Sequence, residues 1–380
     1  MLQLPPLSLY VHIPWCIEKC PYCDFNSHKL KGEIPEAEYL TALIDDLKQD
    51  LSFVQGRELF SIFIGGGTPS LISAPGIGWL LENIQNLIPF KTDIEITLEA
   101  NPGAIENQKI ADFKEAGINR FSFGVQSFQQ EKLTKLGRIH GVEEAKTAAR
   151  QAHNVGMQTF NLDLMHGLPD QSLADAMSDL ATAIALKPTH LSWYQLTIEP
   201  NTQYFSHPPK LPEDEVLWDI QKAGVKLLAE HGYTQYEISG YSQVGWQCQH
   251  NLNYWRFGDY LGIGCGAHGK ISFPLENKIL RTTKIKHPKG YLDPQRPYMD
   301  DCNAVDRDEL IFEYMINRLR LMEAIPFAEF EDYTGLPRAA LDKQLQHSID
   351  KELVTVEQEY FQVTPLGHRY LNELLTIFMD

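Results

Sequence analysis

Nowhere in these 380 residues do about 18 apolar side chains follow one another, which excludes a hydrophobic membrane-spanning helix. The opening stretch, MLQLPPLSLYVHIPWC, has neither the basic start nor the apolar core of a secretory signal, so a cytoplasmic protein is expected. Positive charge is scarce as well: 33 Lys and Arg stand against 50 Asp and Glu, a net charge of -17. A surface of that sign repels polyanions, and no nucleic-acid partner is expected. Cysteine is sparse and unevenly placed. Cys16, Cys20 and Cys23 crowd the front of the chain, while Cys248, Cys265 and Cys302 are scattered. This is not the spacing of a disulfide framework; in a reducing compartment it points to metal or redox chemistry.

What the sequence does contain is globular material, 43% hydrophobic and 22% charged, enough for a sizeable core. Over residues 1–240, short β-branched or aromatic runs alternate with longer amphipathic stretches, the pattern of βα units around a parallel sheet. Strands are predicted at 8–13, 60–64, 94–99, 119–125, 158–164 and 190–196, and helices near 36–54, 76–87, 105–116, 143–155, 173–186 and 213–231. Polar or glycine-rich residues recur where the apolar runs stop: Gly65-Gly66-Gly67-Thr68, Glu99-Ala100-Asn101-Pro102, Gln126, Asp163 and Gln195. Ligands of parallel α/β folds sit at the carboxyl ends of the strands, so these segments predict one shared pocket. Taken singly, each is equally an ordinary turn.

Two further regions follow. Residues 241–300 are aromatic and glycine-rich, then basic, with six Lys or Arg and one Glu over 270–291. Such a stretch reads as a solvated face, or as cations that meet the carboxylates of a ligand or a membrane surface. Residues 301–380 predict a small helical domain, with helices over 307–321, 337–350 and 365–378 and a hairpin over 352–364, in a winged-helix-like arrangement. Its acidic residues outnumber its basic ones, which argues against DNA binding.

The most specific chemistry lies in Cys16-Ile17-Glu18-Lys19-Cys20-Pro21-Tyr22-Cys23. Three thiolates on so short a loop require a cation. A [4Fe–4S] cluster uses one ligand per iron, so three cysteines leave one iron open. A Cys3His zinc site, with His28 as fourth ligand, is the alternative.

This Cys-x3-Cys-x2-Cys loop resembles that of the radical S-adenosylmethionine superfamily, whose cluster is chelated by S-adenosylmethionine at the open iron. More narrowly, LYVHIPWC, GGGTPS, EANP, GVQSF and NLDLMHGLP resemble the coproporphyrinogen III oxidase-like branch over most of residues 8–200. The resemblance implies a partial (β/α)6 TIM-like barrel with a [4Fe–4S] cluster on Cys16, Cys20 and Cys23. It also implies S-adenosylmethionine contacts from Tyr10, Tyr22, Gly66, Gly67, Thr68, Glu99, Gln126, Arg138 and Asp163. Their chemistry suits that role. Carboxylates accept from ribose hydroxyls or an ammonium, and an Arg can grip a carboxylate with two parallel hydrogen bonds.

The branch contains an oxidase type, which decarboxylates a porphyrinogen in porphyrin synthesis, and a heme-chaperone type. Here Cys23 is followed by Asp24 and Phe25, where the oxidase pattern has a further cysteine, and little chain precedes Cys16. His250-Asn251-Leu252-Asn253-Tyr254-Trp255 resembles the HNxxYW signature of the chaperones. Heme is therefore expected as a ligand, with contacts from His250, Tyr254 and Trp255; Cys248 is a competing axial ligand. The implied partners are apo-hemoprotein acceptors, an electron donor if radical chemistry occurs, a second copy of the chain as homodimer, and a peripheral membrane contact. The oxygen-independent oxidase is the alternative function.

Overall fold

The structure is a computed structural model that describes residues 1–104 and 107–379. Six parallel strands, β1 (Leu7–Ile13), β2 (Leu59–Gly66), β3 (Phe90–Ala100), β4 (Arg120–Gln126), β5 (Thr159–His166) and β6 (His190–Gln195), pair in sequence order. Between them run α1 (Glu36–Gln49), α2 (Ala74–Leu87), α3 (Asn107–Glu115), α4 (Val142–Asn154) and α5 (Leu173–Ala185); α6 (Asp214–Glu230) follows β6. The predicted strands and helices coincide with these elements. The first two residues of the helix expected over 105–116 lie outside the described residues.

The strands form a partial barrel because their two faces differ. Leu9, Val11, Ile62, Ile64, Leu98, Phe121, Phe123, Leu162 and Leu191 are buried in the main hydrophobic core. The alternate residues, such as Ser8, Ser61, Thr97, Arg120, Ser122, Asn161 and His190, are polar and buried. With a side-chain period of two, they fall on the opposite face and line the inside of the barrel. The interior is thus a polar channel with strand carboxyl ends at its mouth and strand starts at its floor.

Residues after 240 extend the same sheet on both sides. Gly240–Ser242 pairs antiparallel with β6. Beyond β1 come β7 (Asp259–Ile263), parallel to it, and then antiparallel β8 (His268–Phe273), β9 (Lys278–Lys284) and β10 (Met299–Ala304). Most of the basic stretch is neither a solvated face nor a set of free cations. Lys270 and Lys284 are buried, bonded to Asp259 (3.1 Å) and to Asp46 and Asp50 (2.6 and 2.7 Å). Arg281 pairs with Glu313 and Lys278 with Glu276. Strand periodicity turns alternate cations inward, where acids from β7 and α1 neutralise them; Lys286 and Lys289 stay exposed.

The C-terminal part has its own core, built on Tyr314, Phe330, Leu345, Phe361 and Leu374. Helices Leu310–Arg318, Asp342–Asp350, Pro365–Arg369 and Leu371–Ile377 match the expected pattern, and the expected hairpin is Val354–Val356 with Tyr360–Val363. A third strand, Ile325–Pro326, and a helix, Phe327–Thr334, were not foreseen. That helix is bracketed by Pro326 and by Gly335 at φ +69° and fits between two turn signals too close together to read as an element. Among the described residues, no helix is long and apolar enough to cross a membrane.

Candidate cofactor site and barrel floor

Both ends of the cysteine loop are fastened. Trp15–Cys16 pairs in parallel with His28–Lys29, closing the loop on itself. Gly67 N–H donates to Ile13 O at 2.7 Å and Thr68 N–H to Trp15 O at 2.8 Å. A Cβ on Gly67 would lie 2.5 Å from Trp15 O, and one on Gly66, at φ +116°, 2.7 Å from the His12 ring. These glycines therefore let β2 press against the cluster loop, a packing role that sequence reasoning gave only to ligand approach. Asn26 completes the fastening: its Nδ2 donates to Cys265 O (2.8 Å) and Lys286 O (2.9 Å), while its own carbonyl meets His12 Nε2 (2.8 Å).

Within the loop the Cys20 thiol lies 3.6 Å from Arg138 Nη1, and Cys23 lies 3.7 Å from Ser27 Oγ. Burial pushes the Cys16 and Cys23 thiols upward, and each neighbouring thiolate adds to the penalty. Three adjacent thiols that repel one another as anions are what a polynuclear cation relieves, so the donor set fits a cluster. His28, the rival zinc ligand, turns its Nε2 to Lys286 O at 3.2 Å.

The expected S-adenosylmethionine residues gather at the adjoining barrel mouth. Glu99 accepts from Gly66 N–H at 3.0 Å. Burial, with Asp163 opposite, pushes its carboxyl up to about 8. Asp163 is raised too, chiefly by burial, and accepts from Ser122 Oγ (3.0 Å) and Asn161 Nδ2 (2.7 Å). Gln126, at φ +70°, turns its Oε1 to Tyr194 OH at 2.9 Å. Arg138 Nη2 donates to Gly124 O at 2.6 Å, which places the guanidinium between β4 and Cys20. Tyr10 bonds His12 Nδ1 at 2.9 Å, and Tyr22 packs on Tyr204. Two buried carboxyls, both pushed above their usual range beside a thiol loop, form a pocket that suits a cationic group.

The heme residues expected from the HNxxYW match lie elsewhere. They form the helix α7 (Gln249–Trp255), which closes the barrel floor. Glu95 of β3 caps it, accepting from Gln249 N–H (3.1 Å) and His250 N–H (3.0 Å). His250 is buried, with its ring 5.2 Å from Phe63 and 4.8 Å from Tyr254. Burial, then the Arg120 charge, lowers its pKa to about 3. Tyr254 is wedged between His250 and Tyr260, and Trp255 stacks under the Arg320 guanidinium at 4.3 Å. The three side chains therefore share no open face. Cys248, the competing ligand, is fully buried 3.5 Å from Glu95 Oε1, with its thiol pushed up to about 12 by burial. Glu95, Thr97 and Arg120 were missed by sequence reasoning. Their signal was polar residues at every second position of strands that should be buried on both faces.

Residues 10–180 match the model of the radical SAM superfamily, and residues 305–370 match the HemN C-terminal domain. The chain is 55% identical to the heme chaperone HemW of Escherichia coli over the full length of both. It is 33% identical to the heme chaperone HemW of Bacillus subtilis, covering 98% of this chain and 99% of that one. The structure superposes on the coproporphyrinogen III oxidase HemN of Escherichia coli with a TM-score of 0.83, covering 99% of this chain and 90% of the other, at 24% identity, a likeness of fold. The chain belongs to the HemW family of heme chaperones within the radical SAM superfamily.

Proposed function

We propose that this chain is a cytoplasmic heme chaperone, which binds heme and passes it to apo-proteins of respiration from a core that holds a [4Fe–4S] cluster and S-adenosylmethionine. The observation that carries this is the full-length match to heme chaperones, at 55% identity with no part of the chain left over. Phe25 at the position of the oxidase's extra cysteine supports it.

In this proposal Cys16, Cys20 and Cys23 hold the cluster, and a cluster with one open iron supplies one-electron chemistry to a bound S-adenosylmethionine. The chain's own residues bind and orient. Glu99 and Asp163 face the cationic part of that cofactor, Arg138 its carboxylate, and Tyr10, Tyr22, Gly66, Gly67, Thr68 and Gln126 its remaining surface. His250, Tyr254 and Trp255 of α7 would serve heme from the barrel floor, which they close. Anaerobic titration of cluster-loaded protein with heme should give a saturable Soret shift, and mixing that complex with an apo-hemoprotein should move the heme across. A Soret band that never saturates, or heme that stays behind, contradicts the proposal.

A further inference from the structure

One side of the barrel floor is satisfied and the other is not. On the satisfied side, Asn161 Oδ1 is 2.7 Å from His190 Nδ1, and His190 Nε2 meets Tyr236 OH at 2.8 Å. On the other side Thr97 Oγ1, Arg120 Nε and His250 Nε2 are all buried with no hydrogen-bond partner among the described residues. Arg120 is the most unusual. Its guanidinium is buried, its Nε is unpartnered, and its ion pair with Glu95 Oε2 is long, at 3.9 Å. Buried polar groups are normally paired, and three orphans in one place call for a ligand.

They are in one place. Thr97 and Arg120 are register partners on β3 and β4, and Thr97 and Phe63 on β3 and β2. The His250 ring lies against Phe63, and the Arg120 charge is felt at His250. Thr97 sits one two-residue step, about 7 Å, below Glu99 on the same face of β3. The floor is therefore the far end of the channel whose mouth holds Glu99.

The hydrogen-bond chain behind His250 fixes what it presents. Asn253 Nδ2 donates to Ser8 Oγ (2.9 Å), Ser8 Oγ is 2.8 Å from Ser61 Oγ, and Ser61 Oγ is 2.9 Å from His250 Nδ1. If His250 Nδ1 carried the proton, Ser61 would donate to Ser8, and the Ser8 hydroxyl proton would have no acceptor among the described residues. In the satisfied arrangement Ser8 donates to Ser61, Ser61 donates to Nδ1, and the proton sits on Nε2. That nitrogen is then a donor and is not set up to ligate iron. Thr97 O–H, Arg120 Nε–H and His250 Nε2–H together form a site of donors.

We infer that this floor binds a carboxylate, one propionate of heme, with Arg120 as the principal contact and Thr97 and His250 completing it. A propionate carries its carboxylate on a two-carbon arm, so the carboxylate can reach the floor while the macrocycle stays above it. The inference rests on the chaperone reading of the channel.

The test compares heme with heme dimethyl ester, which keeps the iron and the ring and lacks both carboxylates, on cluster-loaded protein followed by the Soret band. Wild type should bind heme roughly tenfold or more tighter than the ester, since a hydrogen bond to a buried charge is worth that much. Arg120→Gln should bring heme down to the ester's affinity and leave the ester unmoved. Thr97→Val, which keeps shape and branching, should act in the same direction and serves if Arg120→Gln does not fold. Equal binding of the two probes by wild type, or equal weakening of both by the variants, overturns the carboxylate floor while the chaperone reading stands. Wild type that binds neither probe overturns that reading and the floor with it.

Discussion

The mouth and the floor of the barrel hold opposite chemistry. At the mouth, Glu99 and Asp163 crowd two carboxyls together beside three thiols, and burial holds both acids above their usual range. At the floor, Arg120 Nε and His250 Nε2 have no hydrogen-bond partner among the described residues. The mouth gathers acids and the floor unpartnered donors, so the two ends suit ligand groups of opposite charge. The mouth is built from β1–β5 and the cysteine loop, within the residues that match the superfamily model. The floor depends on α7, from outside that match. A mouth shared across a superfamily cannot distinguish a chaperone from an oxidase; what closes the other end of the channel can.

The largest effect should come from the mouth. Cys16→Ala, Cys20→Ala or Cys23→Ala should each abolish the cluster, read as iron content of anaerobically reconstituted protein, while Cys302→Ala, on the exposed β10, should leave it intact. Equal loss from Cys302→Ala would break the assignment of the mouth. Next, Asp163→Ala or Glu99→Ala should weaken S-adenosylmethionine binding roughly tenfold to a hundredfold, the worth of one or two charge-assisted bonds. The spectrum of the reduced cluster, followed against added cofactor, gives the affinity.

Acid stability sharpens the contrast at the floor. His250 has a folded pKa of about 3, against an ordinary value of 6.5, so between those values the unfolded chain binds the proton and the native state does not. Stability is then lost as pH falls through that window, by at most about 1.4 kcal/mol per pH unit from this group. His250→Gln should flatten the decline relative to wild type, measured by urea unfolding at several pH values from 6.5 downward; parallel curves would contradict the buried neutral imidazole. The smallest effect belongs to Glu99. Its carboxyl, raised to about 8, is largely protonated at pH 7 when the mouth is empty, and a cationic ligand draws the proton off. Binding of S-adenosylmethionine at pH 7 should release up to one proton, seen by calorimetry in buffers of different ionisation enthalpy. Over the same linkage, stability of the empty protein falls as pH rises from 4.5 towards 8, because the native state holds a proton that the unfolded chain gives up.

The mouth was legible in the sequence; of the floor, only His250, Tyr254 and Trp255 of α7 were. The three cysteines, the glycine run and Glu99 stand where apolar runs end, and strand ends are where parallel barrels place ligands. Arg120 begins its strand and Thr97 lies mid-strand, where a polar residue reads as the solvent face of an alternating pattern. Only closure of the barrel turns that face inward. Lys270 and Lys284 misled for the same reason. A run of cations looks like surface until Asp46, more than 200 residues away in sequence, is folded against it. Asn26 and Gly266 are equally silent as sequence. A Cβ on Gly266 would lie 2.1 Å from Asn26 Nδ2, a contact made only when the extension packs on the cluster loop.

The central claim, that this channel carries heme and does not decarboxylate a porphyrinogen, has a direct test. Cluster-loaded protein is incubated anaerobically with coproporphyrinogen III, S-adenosylmethionine and a one-electron reductant, and the tetrapyrroles are separated and quantified. The account expects coproporphyrinogen III to be recovered unchanged from protein that binds heme in a parallel titration. Protoporphyrinogen IX formed over many turnovers would contradict it.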